Sequence, residues 1–291
     1  MKKVWKSMLV LMIMTAMATM FVGCGKKDDS NTDTAVNENT SEDTNVTTDG
    51  EDTSLADIKA KGTLVLGLDD AFPPMGFRDD NQEVVGFDID VAREVSKRMG
   101  VELVIQPISW DAKELELSTK NIDCIWNGMS YNEERAKAME LSMPYMKNTQ
   151  VAVVLATSDV TTLDGLAGKT VVIQNGSTAS DAMDSNEDFK KSLKELVKVN
   201  DNVQALLDLK VSSSDAVVMD EVVARYYTEK DAETYRILDE TLADEDYVIG
   251  FRKGEVTLRA EVEKYLKEMA ADGTLAGISE TWFGIDITTI K

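Results

Sequence analysis

"TQVAVVLA", residues 149–156, decides the architecture. A run of Val, Ala and Leu in a short polar frame reads as a strand. It separates two series in which apolar runs alternate with helical patterns. Before it stand the strands "TLVLGL" (63–68), "VELVIQPI" (101–108) and "DCIWNG" (123–128). Between them lies a helix capped by Asp88, with Val91, Ala92, Val95 and Met99 on one face, and a helix in "DAKELELSTK" (111–120). A further helix, "NEERAKAM" (132–139), precedes the dividing strand. After it come the strands "KTVVIQ" (169–174), "KELVKV" (194–199) and "DAVVM" (215–219). Helices in "TASDAM" (178–183), "NVQALLDLK" (202–210) and "EVVARYY" (221–227) accompany them. "YVIGFRKG" (247–254) is another strand. Two helices close the chain: one with Leu258, Val262, Tyr265, Leu266 and Met269 on a face, and a last near 273–282. Strands alternating with helices predict an α/β protein of mostly parallel sheets covered on both faces. If 149–156 and 247–253 both cross between lobes, residues 55–148 plus 254–291 form lobe I. Residues 149–253 then supply the hinge strands and lobe II, an arrangement that permits hinge closure around a ligand.

The totals narrow the chemistry. The 291 residues include 53 Asp+Glu, 31 Lys+Arg and no histidine, a net charge of −22. Such an excess of acid disfavours nucleic acid or an anionic membrane surface as a partner. Without histidine there is no Ser-His-Asp triad, no His-ligated zinc and no imidazole base. No phosphate loop is present, and "FDID" (87–90) lacks the spaced oxygen ligands and glycine of a calcium loop, so it reads as capping. No cofactor is expected. Cys124, in the apolar "IDCIW", reads as an inert core thiol.

The N-terminus carries a processing signal. Basic "MKKVWK" precedes the apolar run "SMLVLMIMTAMATMFV", which has the length of a secretory h-region. "FVGC", ending at Cys24, resembles a bacterial lipobox. That resemblance implies a signal peptide over 1–23 and a diacylated Cys24, whose two acyl chains would anchor the chain stably. An uncleaved signal anchor with an incidental cysteine is the other reading. Residues 25–54 contain no aromatic residue and only Ala35, Val36 and Val46 as aliphatics. Such a segment cannot offset its ordering entropy, so 24–54 reads as the lipidated cysteine and a disordered acidic tether.

Arg135 stands out. Asn132 reads as an N-cap, and Glu133 and Glu134 suit the positive end of the helix dipole. Arg135 has the wrong sign for that end. Either it is a solvated surface residue, or it and the helix terminus share an anion.

Five segments in order, "GLDDAFPPMGF…GFDID", "ISWDAKELELSTKNIDCIWNGMSYNEER", "LSMPY", "VVIQNGSTASD" and "DAVVMDE", carry a resemblance. Together they are similar to the extracellular solute-binding proteins of family 3, the polar amino-acid-binding proteins of ABC importers. The resemblance covers roughly residues 55–290 and implies a two-lobed periplasmic-binding-protein fold closing on a free amino acid. It places Arg135 on the ligand α-carboxylate, where a guanidinium gives two parallel charge-assisted bonds. It gives the Gly128 carbonyl to the ligand ammonium, and the Ser130 hydroxyl or N–H to the carboxylate. Both positions are otherwise simple turn residues. It makes Asp220 the acid opposite the ammonium, against the reading of Asp220 as a helix cap. Ser177 and Thr178 would donate to the same carboxylate from the second lobe, against ordinary capping. Gln174 falls near a position that touches the ligand side chain. Asp69, Phe72 and Trp110 would shape the side-chain pocket, the aromatics flanking an apolar stem or a cation. Asp70 and Glu114 are neighbouring acids with a solvated alternative. The surplus of acids favours a neutral-polar or basic ligand.

The expected protein is thus a monomeric, non-catalytic, lipid-anchored binding protein on the outer face of the membrane. It would deliver an amino acid to a membrane permease. Two other classes compete. A secreted dehydratase on the same fold would use Glu114 or Asp69 as an acid. A ligand-sensing domain would usually be fused to a signalling module.

Overall fold

Asp52 ties the start of the folded body together. Its carboxylate accepts from Ser54 N at 2.9 Å and from Thr257 N at 2.6 Å, two helix-terminal donors more than two hundred residues apart in the chain. The computed structural model describes residues 51–291. The signal peptide, Cys24 and the tether through residue 50 lie outside the described residues. Asp52 and Ser54, expected in the tether, are instead hydrogen-bonded into the body.

Helix α1 (Ser54–Lys61) ends at Gly62. Strand β1 (Thr63–Leu68) leads to a small antiparallel meander of β2 (Ala71–Phe72), β3 (Gly76–Arg78) and β4 (Val84–Val85). Helix α2 (Phe87–Met99) and β5 (Glu102–Pro107) follow. A 3-10 turn at Trp110–Ala112 runs into α3 (Lys113–Ser118). Then come β6 (Cys124–Ser130), α4 (Glu133–Ala138), β7 (Met139–Leu141) and β8 (Met146–Leu155). The second series is β9 (Thr170–Gln174), α5 (Ala179–Ser185), α6 (Glu187–Ser192), β10 (Glu195–Val199), α7 (Asn202–Lys210), β11 (Ala216–Asp220) and α8 (Glu221–Lys230). The chain returns on β12 (Tyr235–Arg252) and finishes with α9 (Val256–Ala271) and α10 (Thr274–Phe283).

The strands run in the order β10-β9-β11-β8-β12-β6-β1-β5, with β7 also on β12. Pairing is parallel at the two ends, β5/β1/β6 and β10/β9/β11. It is antiparallel in the centre, where β8 and β12 lie side by side and each holds one of the ends. The two expected parallel sheets are therefore the two wings of one mixed sheet, and the two strands expected to act as hinges form its centre. Strand β8 lacks alternation because it is covered on both faces. Val151 and Val153 enter the main core, while Ala152 and Val154 enter a second one with Val171 and Ile173. The main core seats Phe87, Val91 and Val95 of α2 against Leu258, Val262 and Leu266 of α9.

Two local expectations change. Strand β12 begins at Tyr235, well before "YVIGFRKG", because charged "LDETLADED" (238–246) masks it and two register shifts near Thr241 break its period. Asp88 does not cap α2, whose N-cap is Gly86. Its carboxylate is fully buried and accepts from Gly128 N at 2.7 Å and from the Tyr145 hydroxyl at 3.1 Å.

Candidate ligand-binding site

Parallel strands deliver their C-terminal ends, and the loops after them, to the crevice between the wings. Strand β1 ends at Leu68, just before Asp69, and β6 at Ser130; on the other wing β9 ends at Gln174 and β11 at Asp220. These loops, with the one that follows β5, meet at a narrow pocket of about 10 Å³. The first wing lines it with Phe72, Trp110, Gly128, Ser130 and Arg135. The second lines it with Gln174, Ser177, Thr178 and Asp220. Of the ten residues expected in the site, only Asp69 is outside this lining.

Arg135 is not a surface residue; it is 5% exposed. The Asn132 side chain caps α4 by accepting from Arg135 N at 2.7 Å, as expected. The guanidinium donates to Ser130 O at 2.6 Å and, across the crevice, to Gly176 O at 3.1 Å. Burial works against its charge, while Asp181, Glu245, Glu114 and Asp220 sustain it. Lys113, which the sequence did not single out, meets the same carbonyl: its Nζ donates to Gly176 O at 2.9 Å and lies 4.9 Å over the Trp110 ring. Burial foremost, with help from the Arg135 charge, pushes this amine down to about 8. Two buried cations thus converge on a neutral oxygen at one end of the cavity. Gly176 permits the approach: its φ is 72°, and a Cβ there would sit 3.0 Å from Asp111 Cα.

Asp220 occupies another edge of the cavity. Although it is the N-cap of α8, its side chain makes no capping bond. Oδ1 instead accepts from Asn148 Nδ2 and from the Tyr247 hydroxyl, both at 2.7 Å. Burial foremost, and then the Glu245 charge, pushes this carboxyl up to about 7. The capping alternatives for Ser177 and Thr178 also fall away. Ser177 Oγ donates to Gln174 O at 2.8 Å, and Thr178, though the N-cap of α5, makes no side-chain capping bond.

Asp69 lies just outside the lining, next to Gln174. Its Oδ2 accepts from Gln174 Nε2 at 2.7 Å, a bond that crosses the crevice, and its Oδ1 accepts from Ala71 N at 2.9 Å. Burial pushes it up to about 6. Asp70 is drawn away into an ion pair with Arg78 at 2.6 Å, and Glu114 is exposed, so both take their solvated reading. Two more bonds cross between the wings, Asn132 Nδ2 to Asp181 Oδ2 at 2.7 Å and Asn175 Nδ2 to Asp111 Oδ2 at 3.1 Å. Cys124 is buried away from the cavity, and burial pushes its thiol well up.

Gly128 carries a φ of 54°, and a Cβ there would lie 2.9 Å from the Phe72 ring. Asp88 holds this positive-φ turn of the backbone inside β6 through the Gly128 N–H. Asp88→Ala is expected to cost about 1–3 kcal/mol, the desolvation cost of a buried donor left without a partner. Asp88→Asn keeps an acceptor and should retain most of that stability. Urea unfolding of the two variants checks this; equal stability would remove Asp88 from the support of the turn.

The model of the bacterial extracellular solute-binding proteins, family 3, matches residues 64–285. The L-cystine-binding protein TcyJ of Escherichia coli (strain K12) is 30% identical over 236 residues, 80% of this chain and 87% of its own. Among solved structures, the ABC uptake transporter substrate-binding protein from Streptococcus pneumoniae with bound histidine superposes with a TM-score of 0.79 at 34% identity. The match covers 82% of this chain and 99% of that one. Tv2483 bound to L-arginine gives the same TM-score at 31% identity, over 82% and 98% of the two chains.

Proposed function

The chain belongs to the bacterial extracellular solute-binding proteins, family 3, and from that footing we propose that it captures one free amino acid between its lobes and hands it to an ABC importer permease. One observation carries the reading: a narrow pocket lined from both wings has a buried guanidinium and a buried carboxylate on its wall. That is the charge pattern complementary to a zwitterion. Arg135 takes the α-carboxylate, with Ser177 and Thr178 facing it from the other lobe. Asp220 and the Gly128 carbonyl take the ammonium, whose burial needs an anionic partner. Phe72 and Trp110 flank the side chain, and Gln174 with Asp69 behind it meets its far end. Asp69 has no cationic partner among the described residues, which favours a basic or polar side chain there.

In this reading lobe I is 55–148 plus 254–291 and lobe II is 149–253, hinged on β8 and β12. Ligand contacts from both lobes bias the closed state, and the permease reads that state. The protein acts as a monomer, without catalysis, on the outer face of the membrane through lipidated Cys24. In this reading each charged group of the wall, Arg135 and Asp220, is assigned to a ligand charge.

The test is thermal unfolding of protein first unfolded and refolded to strip carried-over ligand. The panel is the twenty amino acids plus cystine, ornithine and citrulline. A ligand at about 1,000 times its Kd adds roughly 4 kcal/mol, which for a chain of this size raises Tm by about 8–16 °C. No shift across the panel would overturn the proposal.

A further inference from the structure

Glu245 was not among the expected site residues, and it does not line the cavity. It lies on β12, where it is paired with Asn148 of β8, in the antiparallel centre of the sheet. Its Oε2 accepts three hydrogen bonds: from Ser130 Oγ at 2.6 Å, Asn148 Nδ2 at 2.9 Å and Gln150 Nε2 at 3.0 Å. Each donor leads to the cavity wall. Ser130 is itself in the wall. The Asn148 amide also donates to Asp220 at 2.7 Å, and Gln150 Nε2 lies 3.5 Å from Thr178 Oγ1. One carboxylate in the hinge therefore reaches wall residues of both wings.

The proton count at Ser130 gives this arrangement a chemical meaning. A hydroxyl has one proton to donate and two lone pairs. Here the proton is committed to Glu245, so only lone pairs remain for the cavity. Ser130 Oγ then faces a ligand as an acceptor, suited to an ammonium and not to a carboxylate. The Asn148 amide protons are likewise both spent, on Asp220 and Glu245.

We propose that Glu245 is a positioning residue of the ammonium subsite: it takes the Ser130 proton, turns that hydroxyl into an acceptor and holds Asn148 against Asp220. The inference rests on the amino-acid-binding reading and assigns the Ser130 hydroxyl to the ammonium instead of the carboxylate. The charged and titratable groups around this network are Asp220 of β11, Arg135 of α4 and Tyr247 of β12. The neighbouring Asp246 is engaged with Lys147 at 2.6 Å.

The test compares amino acids with acids that lack only the α-amino group. Calorimetry on the stripped full protein uses L-arginine with guanidinovaleric acid, L-histidine with imidazolepropionic acid, and L-cystine with dithiodipropionic acid. Any other amino acid that binds in the thermal panel is paired with its own des-amino acid. Glu245→Gln should weaken the amino acid roughly ten- to a hundredfold, the range for a charge-assisted bond. It should leave the des-amino acid within about twofold. Equal weakening of both members of a pair, or of neither, overturns the assignment, because a merely structural role has no reason to depend on the α-amino group. Should Glu245→Gln fail to fold, Ser130→Ala gives the same reading. A loss confined to the amino acid supports the acceptor role, and a loss shared by the des-amino acid returns the hydroxyl to the carboxylate. A wild-type protein that binds no amino acid overturns the proposed function, and this inference with it.

Discussion

Arg135→Ala abolishes amino-acid binding at micromolar concentrations and leaves the protein folded. The expected loss is about 3–5 kcal/mol, the cost of removing one partner from a buried ion pair, or roughly two to three and a half decades in Kd. The fold should survive because one of the two carbonyls that Arg135 bridges, and the helix that carries Arg135, keep other support. Gly176 O still accepts from Lys113 at 2.9 Å, and α4 keeps its cap through the Arg135 backbone N–H. Arg135→Lys should recover little, since an ammonium cannot replace the planar fork on a carboxylate. Calorimetry beside circular dichroism reads both halves. Affinity within tenfold of wild type, in a folded variant, would take the carboxylate away from Arg135.

Asp220 gives the second large effect, and its pH dependence has two opposing signs. Asp220→Ala and Asp220→Asn should both lose binding, because the ammonium needs charge. Asn caps as well as Asp, but capping is not at stake, since Asp220 makes no side-chain cap bond. In the ligand-free protein the carboxyl is pushed up to about 7 from an ordinary 3.8. Between these values the folded state holds a proton that the unfolded state has released. Stability therefore rises as pH falls from about 7 toward 4. Asp88, pushed up to about 7, and Asp69, pushed up to about 6, act in the same direction. Ligand binding runs the other way, because the ammonium pairs with the ionised form. The ligand-free Tm is expected to climb on mild acidification while the ligand-induced shift shrinks. Thermal scans at pH 5 and 8 check it, and a ligand-induced shift as large at pH 5 as at pH 8 would overturn the ammonium assignment.

Much of the fold was legible because burial leaves a period in the sequence. Helix α2 shows it in Val91, Ala92, Val95 and Met99, and all four are buried. Strand β12 shows nothing of the kind over its first half, where charged residues sit on a ribbon covered unevenly and shifted in register. The site divides along the same line. Arg135, Gly128 and Asp220 sit in local motifs whose residue types carry the chemistry. Glu245, Asn148, Gln150, Asp88 and Lys113 do not. Glu245 meets Ser130 only because β12 pairs with both β6 and β8, and Asp88 meets Gly128 forty residues away only through packing. A side chain whose role depends on long-range register leaves no local trace. The misreading of Asp88 as a cap has this cause: a position near a helix start is legible, whereas the direction of its carboxylate is not.

The seating of α2 against α9 dictates the order in which the chain acquires structure. Val91 and Val95 wait for Leu258, Val262 and Leu266, roughly 170 residues downstream. At about 5–20 residues per second of synthesis, the α9-facing side of α2 stays uncovered for roughly 8–35 s after it emerges, although β5 and β6 follow it closely and cover its sheet-facing side. The wing made of β9, β10 and β11 is contiguous and has no such delay. The nascent chain thus passes through a stage with one finished half and one open, sticky half. A holdase chaperone that recognises bare apolar surface finds its target in the first third of the folded sequence, not the last.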